Sequence, residues 1–115
     1  MTDRTDERRK HPRVPFSLDG RWQGPCAASL CRMADLSLGG CFARTTLSPA
    51  VNEHIVVTLF FGGRGTMMLP GLVTRVESGV GFGMQFGELG SDDRFRLSEE
   101  IARILRSRPL RPPQY

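Results

Sequence analysis

The sequence predicts an all-β fold, a six-stranded antiparallel β-barrel followed by one C-terminal α-helix, and three observations lead to it. Between Phe16 and Phe86, short apolar runs rich in β-branched and aromatic residues alternate with glycine-rich breaks, the pattern of antiparallel strands joined by turns. The longest run is interrupted by Pro70-Gly71, a pair that suggests a bulge or bend, and such bends let short strands curl into a small barrel without exposed edges. After Gly90 the apolar residues recur at helical spacing.

The elements follow in order. Residues 1–15 lack hydrophobic periodicity and carry Pro12 and Pro15, which excludes a regular helix or central strand and predicts a flexible arm. Strands are expected at Ser17 to Trp22, Ala27 to Asp35, Gly40 to Thr45, His54 to Phe61, Thr66 to Glu77 and Gly81 to Phe86. Nearly every residue from Ile55 to Phe61 is apolar, which predicts a central strand covered on both faces. Ser78-Gly79 should close the last hairpin. Ser91 is placed to cap a helix whose first turn holds Asp92 and Asp93, favourable beside the positive end of the helix dipole. Leu97, Ile101, Ile104 and Leu105 should form the face that packs on the barrel. The barrel and helix together span residues 16–107 as one domain, and the proline-rich residues 108–115 form a flexible tail.

Composition narrows the function. A chain of 115 residues suffices for one modest core, and no apolar run approaches the length of about 18 residues that a membrane helix needs. The charged opening lacks the apolar centre of a secretory signal, so a cytoplasmic protein without membrane insertion is expected. Cys26, Cys31 and Cys41 have no metal-site spacing and read as small, buried, reduced thiols. The net charge of +4 is uneven. Residues 1–16 hold five basic and three acidic side chains, residues 17–102 seven and nine, and residues 103–115 four and none. A long nucleic acid is usually gripped by a basic face interleaved with aromatic platforms, whereas positive ends on a slightly acidic body suit a small anion held at an edge. The chain has no paired carboxylates, no nucleophile with its base and no metal set, so no enzymatic activity and no cofactor are expected. Gly79, Gly81 and Gly83 alternate within a strand hairpin with no helix immediately after, unlike a phosphate loop.

Two motifs carry the chemistry. Arg9-Lys-His-Pro-Arg13 reads RxxxR, and Asp35-Leu-Ser-Leu-Gly-Gly40 reads DxSxxG. Arginine's planar fork pairs with phosphate, bridges guanine O6 and N7, or stacks on a purine. Asp35 can accept hydrogen bonds from the N1 and N2 donors of guanine or position an arginine, and Ser37 offers a short hydroxyl at the barrel surface. Gly39 and Gly40 allow a sharp turn and a close approach of backbone to ligand.

In this order the motifs resemble the paired signature of PilZ domains, bacterial receptors for cyclic di-GMP, and Gly81-Phe-Gly-Met-Gln-Phe86 resembles the family's last strand before its helix. The resemblance covers nearly the whole chain. It implies a six-stranded barrel whose N-terminal arm clamps cyclic di-GMP through Arg9 and Arg13, with Asp35, Ser37, Gly39 and Gly40 on the barrel side. Arg8 directly precedes the first motif, and family members with arginine there hold a stacked pair of ligand molecules. The resemblance further implies a receptor that changes conformation on binding and signals to a partner protein. Two rival readings are a ligand-independent adaptor on the same fold and a small basic barrel that binds single-stranded nucleic acid.

Overall fold

The computed structural model describes residues 14–107, so the segment with Arg8, Arg9 and Arg13 and the tail at 108–115 lie outside the described residues. Six strands follow in chain order: β1 (Val14–Gln23), β2 (Ala28–Leu36), β3 (Gly40–Arg44), β4 (His54–Phe60), β5 (Thr66–Glu77) and β6 (Gly81–Phe86). A single turn of 3-10 helix at Gly62–Arg64 joins β4 to β5, and α1 (Ser91–Ser107) follows β6. All neighbouring strands pair antiparallel, and the sheet closes as β1-β2-β3-β6-β5-β4 with β4 returning to β1. No helix among the described residues is long and apolar enough to cross a membrane.

Alternation along each strand fills the barrel. Trp22, Met33, Leu36, Val57, Leu59, Leu69, Val73, Phe82 and Met84 point inward and are all but fully buried. Trp22 and Phe82 meet edge to face with centroids 6.1 Å apart, and the indole N–H donates to the Leu47 carbonyl at 2.9 Å, so the largest core side chain also fixes the β3–β4 loop. Leu97 of α1 joins this core, with Ile101 packed against it.

Several expectations change. β1 starts at Val14, so Pro15 lies in a strand; the register shifts between Pro15 and Leu18, and such an irregularity tolerates a residue that cannot donate. β4 is not covered on both faces. Ile55, Val57 and Leu59 are buried while Val56, Thr58 and Phe60 are only half-buried, because a closed barrel shelters its interior alone. Pro70-Gly71 is not the bulge, since β5 keeps a steady register with β4 through both residues. The shift lies between Val73 and Arg75, against β6. Pro70 is tolerated because it lies one residue before the β6 ladder begins at Gly71, where its carbonyl accepts from the Gly87 N–H at 2.9 Å.

Ser91 is the first helical residue, and the Gly90 carbonyl accepts the first helical bond, from Arg94, at 2.9 Å. Leu105 is 50% exposed because the helix turns it away from the barrel, and the buried position on that face goes to Glu100. Glu100 accepts three hydrogen bonds from Arg64, at 2.8 to 3.1 Å, which ties α1 to the β4–β5 connection. Arg96 adds to the tie: it donates to the Thr66 and Arg64 carbonyls at 2.8 and 2.9 Å and lies over the Phe61 ring. Cys31 and Cys41 are buried thiols, but Cys26, in the β1–β2 turn, is exposed.

Candidate ligand-binding site at the β2–β3 turn

The DxSxxG stretch forms the end of β2 and the turn into β3. Asp35 sits where the β2–β3 register shifts between Met33 and Asp35, and its Oδ1 accepts the Phe42 N–H at 3.0 Å. Ser37 is not a surface hydroxyl: it is 4% exposed. Its Oγ accepts the N–H groups of Gly39 and Gly40 at 3.1 and 3.3 Å and reaches the Gly40 carbonyl at 3.4 Å. The Ser37 N–H donates to that same carbonyl at 2.9 Å. The serine therefore closes the turn, in the manner of a local side-chain bond to its own backbone.

The glycines serve the same end. The Gly39 carbonyl accepts the Phe86 N–H at 2.8 Å. A Cβ on Gly40 would collide with the Met84 carbonyl of β6, so glycine is needed for close strand approach and not for a left-handed dihedral. Of the barrel-side residues, Asp35 brings the polar group, while Ser37, Gly39 and Gly40 hold the turn that presents it.

The strand that follows the arginine segment arrives here. Val14 pairs with Leu36 and Pro15 with Asp35, so the chain leaves the RxxxR motif and enters the barrel beside the DxSxxG turn. Arg8, Arg9 and Arg13 themselves lie outside the described residues.

Sequence reasoning missed two residues at this site. Asp35 pairs with Phe42, and Phe42 with Gly83, which faces Arg75. Along this row Phe42 is buried at 8% exposure but is not part of the central core cluster, and the Arg75 guanidinium lies over its ring at 5.1 Å from the centroid. The Arg75 side chain is itself 60% exposed, with Glu77 3.7 Å away. A guanidinium lying over an aromatic ring while still largely exposed can offer its remaining donors to a phosphate or its face to a purine. The available signal was strand alternation: Cys41 and Ala43 face the core, which sends Phe42 outward next to the motif.

The family model for the PilZ domain matches residues 7–106. Among solved structures, the PilZ domain with c-di-GMP of YcgR from Escherichia coli is similar with a TM-score of 0.74 at 15% identity, over 86% of this chain and 92% of that one. The PilZ domain of CeSA from a cellulose-synthesizing bacterium gives 0.67 at 16% identity, over 81% and 97%. The Bacillus subtilis inhibitor of motility, MotI/DgrA, gives 0.70 at 21% identity over 89% of this chain, which spans 54% of that protein. No curated protein sequence matches.

Proposed function

The chain belongs to the PilZ domain family, and on that premise we propose that it is a receptor for cyclic di-GMP that binds its ligand without transforming it and acts in the cytoplasm. The observation that supports this reading is the pairing of Pro15 with Asp35, which starts β1, the strand directly after the RxxxR motif, beside the DxSxxG turn. Arg9 and Arg13 supply the cations for the phosphodiester, and Arg8 covers a second guanine. Asp35 reads a guanine edge or orients the arginine that does. The Arg75–Phe42 stack is a platform on the same row of the barrel. Structures of E. coli YcgR and of K. pneumonia MrkH in complex with c-di-GMP support the ligand assignment. In the proposed mechanism residues 1–13 close over the ligand, and the new surface so formed signals to a partner protein.

Titration calorimetry tests the reading. Cyclic di-GMP should bind at micromolar concentration or tighter, equivalent to about 8 kcal/mol or more. Arg9→Ala and Arg13→Ala should each weaken binding by roughly 1.5–3 kcal/mol, the worth of hydrogen bonds to a charged group. Affinity unchanged in both variants would overturn the site. Absence of binding would leave the ligand-independent adaptor, and binding of oligothymidylate with a steep salt slope but no preference for the dinucleotide would favour the nucleic-acid reading.

A further inference from the structure

We propose that the outer face made by β2, β1, β4 and β5 is a docking surface for an acidic, apolar-anchored segment of a partner protein. One row of outward side chains runs across four strands, because Leu30 pairs with Arg21, Arg21 with Thr58 and Thr58 with Met68. The two apolar ends of this row stand in solvent, Leu30 at 71% and Met68 at 64% exposure. Their neighbours in sequence, Cys31 and Met67, face the core, so strand alternation holds Leu30 and Met68 outward. Half-buried Val56 and Phe60 lie in the flanking rows.

The face is concave in two places. A hollow of about 540 Å³ is bordered by Arg21, Met68 and Pro70, and one of about 510 Å³ by Leu30, Arg32 and Phe60. Such hollows can receive apolar side chains of a partner while the exposed aliphatic tips beside them pack against its backbone.

Charge selects the occupant. Arg21 donates to the neutral side chain of Gln23 at 3.2 Å, and Arg44 of the adjoining β3, which borders the second hollow and pairs with Arg32, has no carboxylate partner among the described residues. Asp19 is held by Arg32 at 3.0 Å, and Glu53, at the margin near Gly24, is turned onto the Ala50 N–H at 2.9 Å. The complement of this face is therefore a carboxylate-bearing chain with apolar side chains for the hollows. Exposed acidic residues Glu88, Asp92, Asp93 and Glu99 lie instead before and along α1, where they repel such a segment and favour the strand face. Single-stranded nucleic acid needs exposed aromatic platforms, whereas the exposed tips here are aliphatic. A lipid surface needs a continuous apolar edge, whereas Arg21 and Thr58 separate the two apolar tips of this row.

The inference rests on the proposed signalling role only for the existence of a partner, since the surface is defined without ligand. The test is selection of a displayed random dodecapeptide library on the full chain, with and without cyclic di-GMP. The enriched peptides should be net acidic with Leu, Ile or Phe between the acids. Binding of a synthetic enriched peptide should fall by about ten-fold or more, the scale of a lost interface anchor, in Leu30→Ser/Met68→Ser and in Arg21→Glu. It should persist in Phe95→Ser, where a 67% exposed ring on α1 is removed. Unchanged melting temperatures show that these surface variants fold. Enriched peptides without acidic excess would overturn the proposal, as would binding insensitive to the strand-face variants or lost only in Phe95→Ser. Phosphatidylglycerol vesicles or oligothymidylate bound through the same residues would also overturn it. Failure of the ligand reading is separate, since it shows as absent calorimetric binding of cyclic di-GMP while peptide binding stands.

Discussion

Neighbouring residues on the barrel have different jobs, and mutagenesis should separate them. Arg75→Ala removes an exposed guanidinium from the outer face and should weaken cyclic di-GMP binding by roughly 1–2 kcal/mol, the range of a cation–π contact with partial desolvation, with little change in melting temperature. Gly40→Ala should do the opposite: a methyl driven into the Met84 carbonyl costs about 1–3 kcal/mol of stability, so its main readout is a lower melting temperature. Equal thermal stability of Gly40→Ala and the parent would refute the close-approach argument. The cysteines divide in the same manner. Burial pushes the Cys31 thiol up to about 12, so at pH 8 it has almost no thiolate to react. A chromogenic disulfide reagent should find one fast thiol, Cys26, in the native protein and all three after denaturation; rapid titration of all three in native buffer would contradict the burial. Asp35 was legible from the sequence as a polar group at the turn into β3, and the structure adds that its Oδ1 accepts the Phe42 N–H. Ser37 was misread as a surface hydroxyl, since only the folded turn shows which backbone groups its oxygen satisfies.

Elements are held together unequally, and α1 shows how. Apolar periodicity predicted a helix packed through Leu97, Ile101, Ile104 and Leu105, and the helix is there, but the face is rotated. Spacing alone cannot reveal that Arg64, thirty-six residues earlier than Glu100, turns a carboxylate into an acceptable buried group on that face. Leu97→Ala should cost about 2–5 kcal/mol, as for other fully buried leucines. Glu100→Gln should cost less, because the Arg64 side chain is 46% exposed and retains water when its partner is weakened. The Arg64 hydrogen bonds hold the Glu100 carboxyl below its usual range. Its contribution to stability is therefore present above the unfolded carboxylate value of about 4.3 and is lost as pH falls below it toward the lower native value. The melting temperatures of parent and Glu100→Gln should differ most near neutrality and converge on acidification. A difference constant from pH 7 to pH 3 would show that the charge is not what holds the helix.

For the whole molecule, the six strands, the β5–β6 hairpin and the terminal helix were legible in the sequence, whereas the strand order and registers were not, and barrel closure was inferred from a bend at Pro70-Gly71 that the structure moves to the residues around Thr74. The general conclusion survived because several irregularities, at Pro15, Met33 and Val73, share the curvature assigned to one. Ligand identity is a property of the assembled site, and it should show as selectivity. Cyclic di-GMP at a hundred times its dissociation constant should stabilise the fold by about 2.7 kcal/mol, and cyclic di-AMP at equal concentration far less, since adenine carries a donor where guanine has O6. Equal thermal shifts from both dinucleotides would mean that only phosphate is sensed. Barrel closure also governs how the site comes into being. β1 forms a local hairpin with β2, but its other ladder, Gly20 to Gln23 against Val56 to Leu59, must wait for a strand more than thirty residues further along the chain. Such non-local pairing is slow, on the order of milliseconds to seconds in small β-barrels. The hairpin that brings Pro15 opposite Asp35 can therefore form before the barrel shuts, so a nascent chain sets the start of β1 against the DxSxxG stretch while its seam is still open.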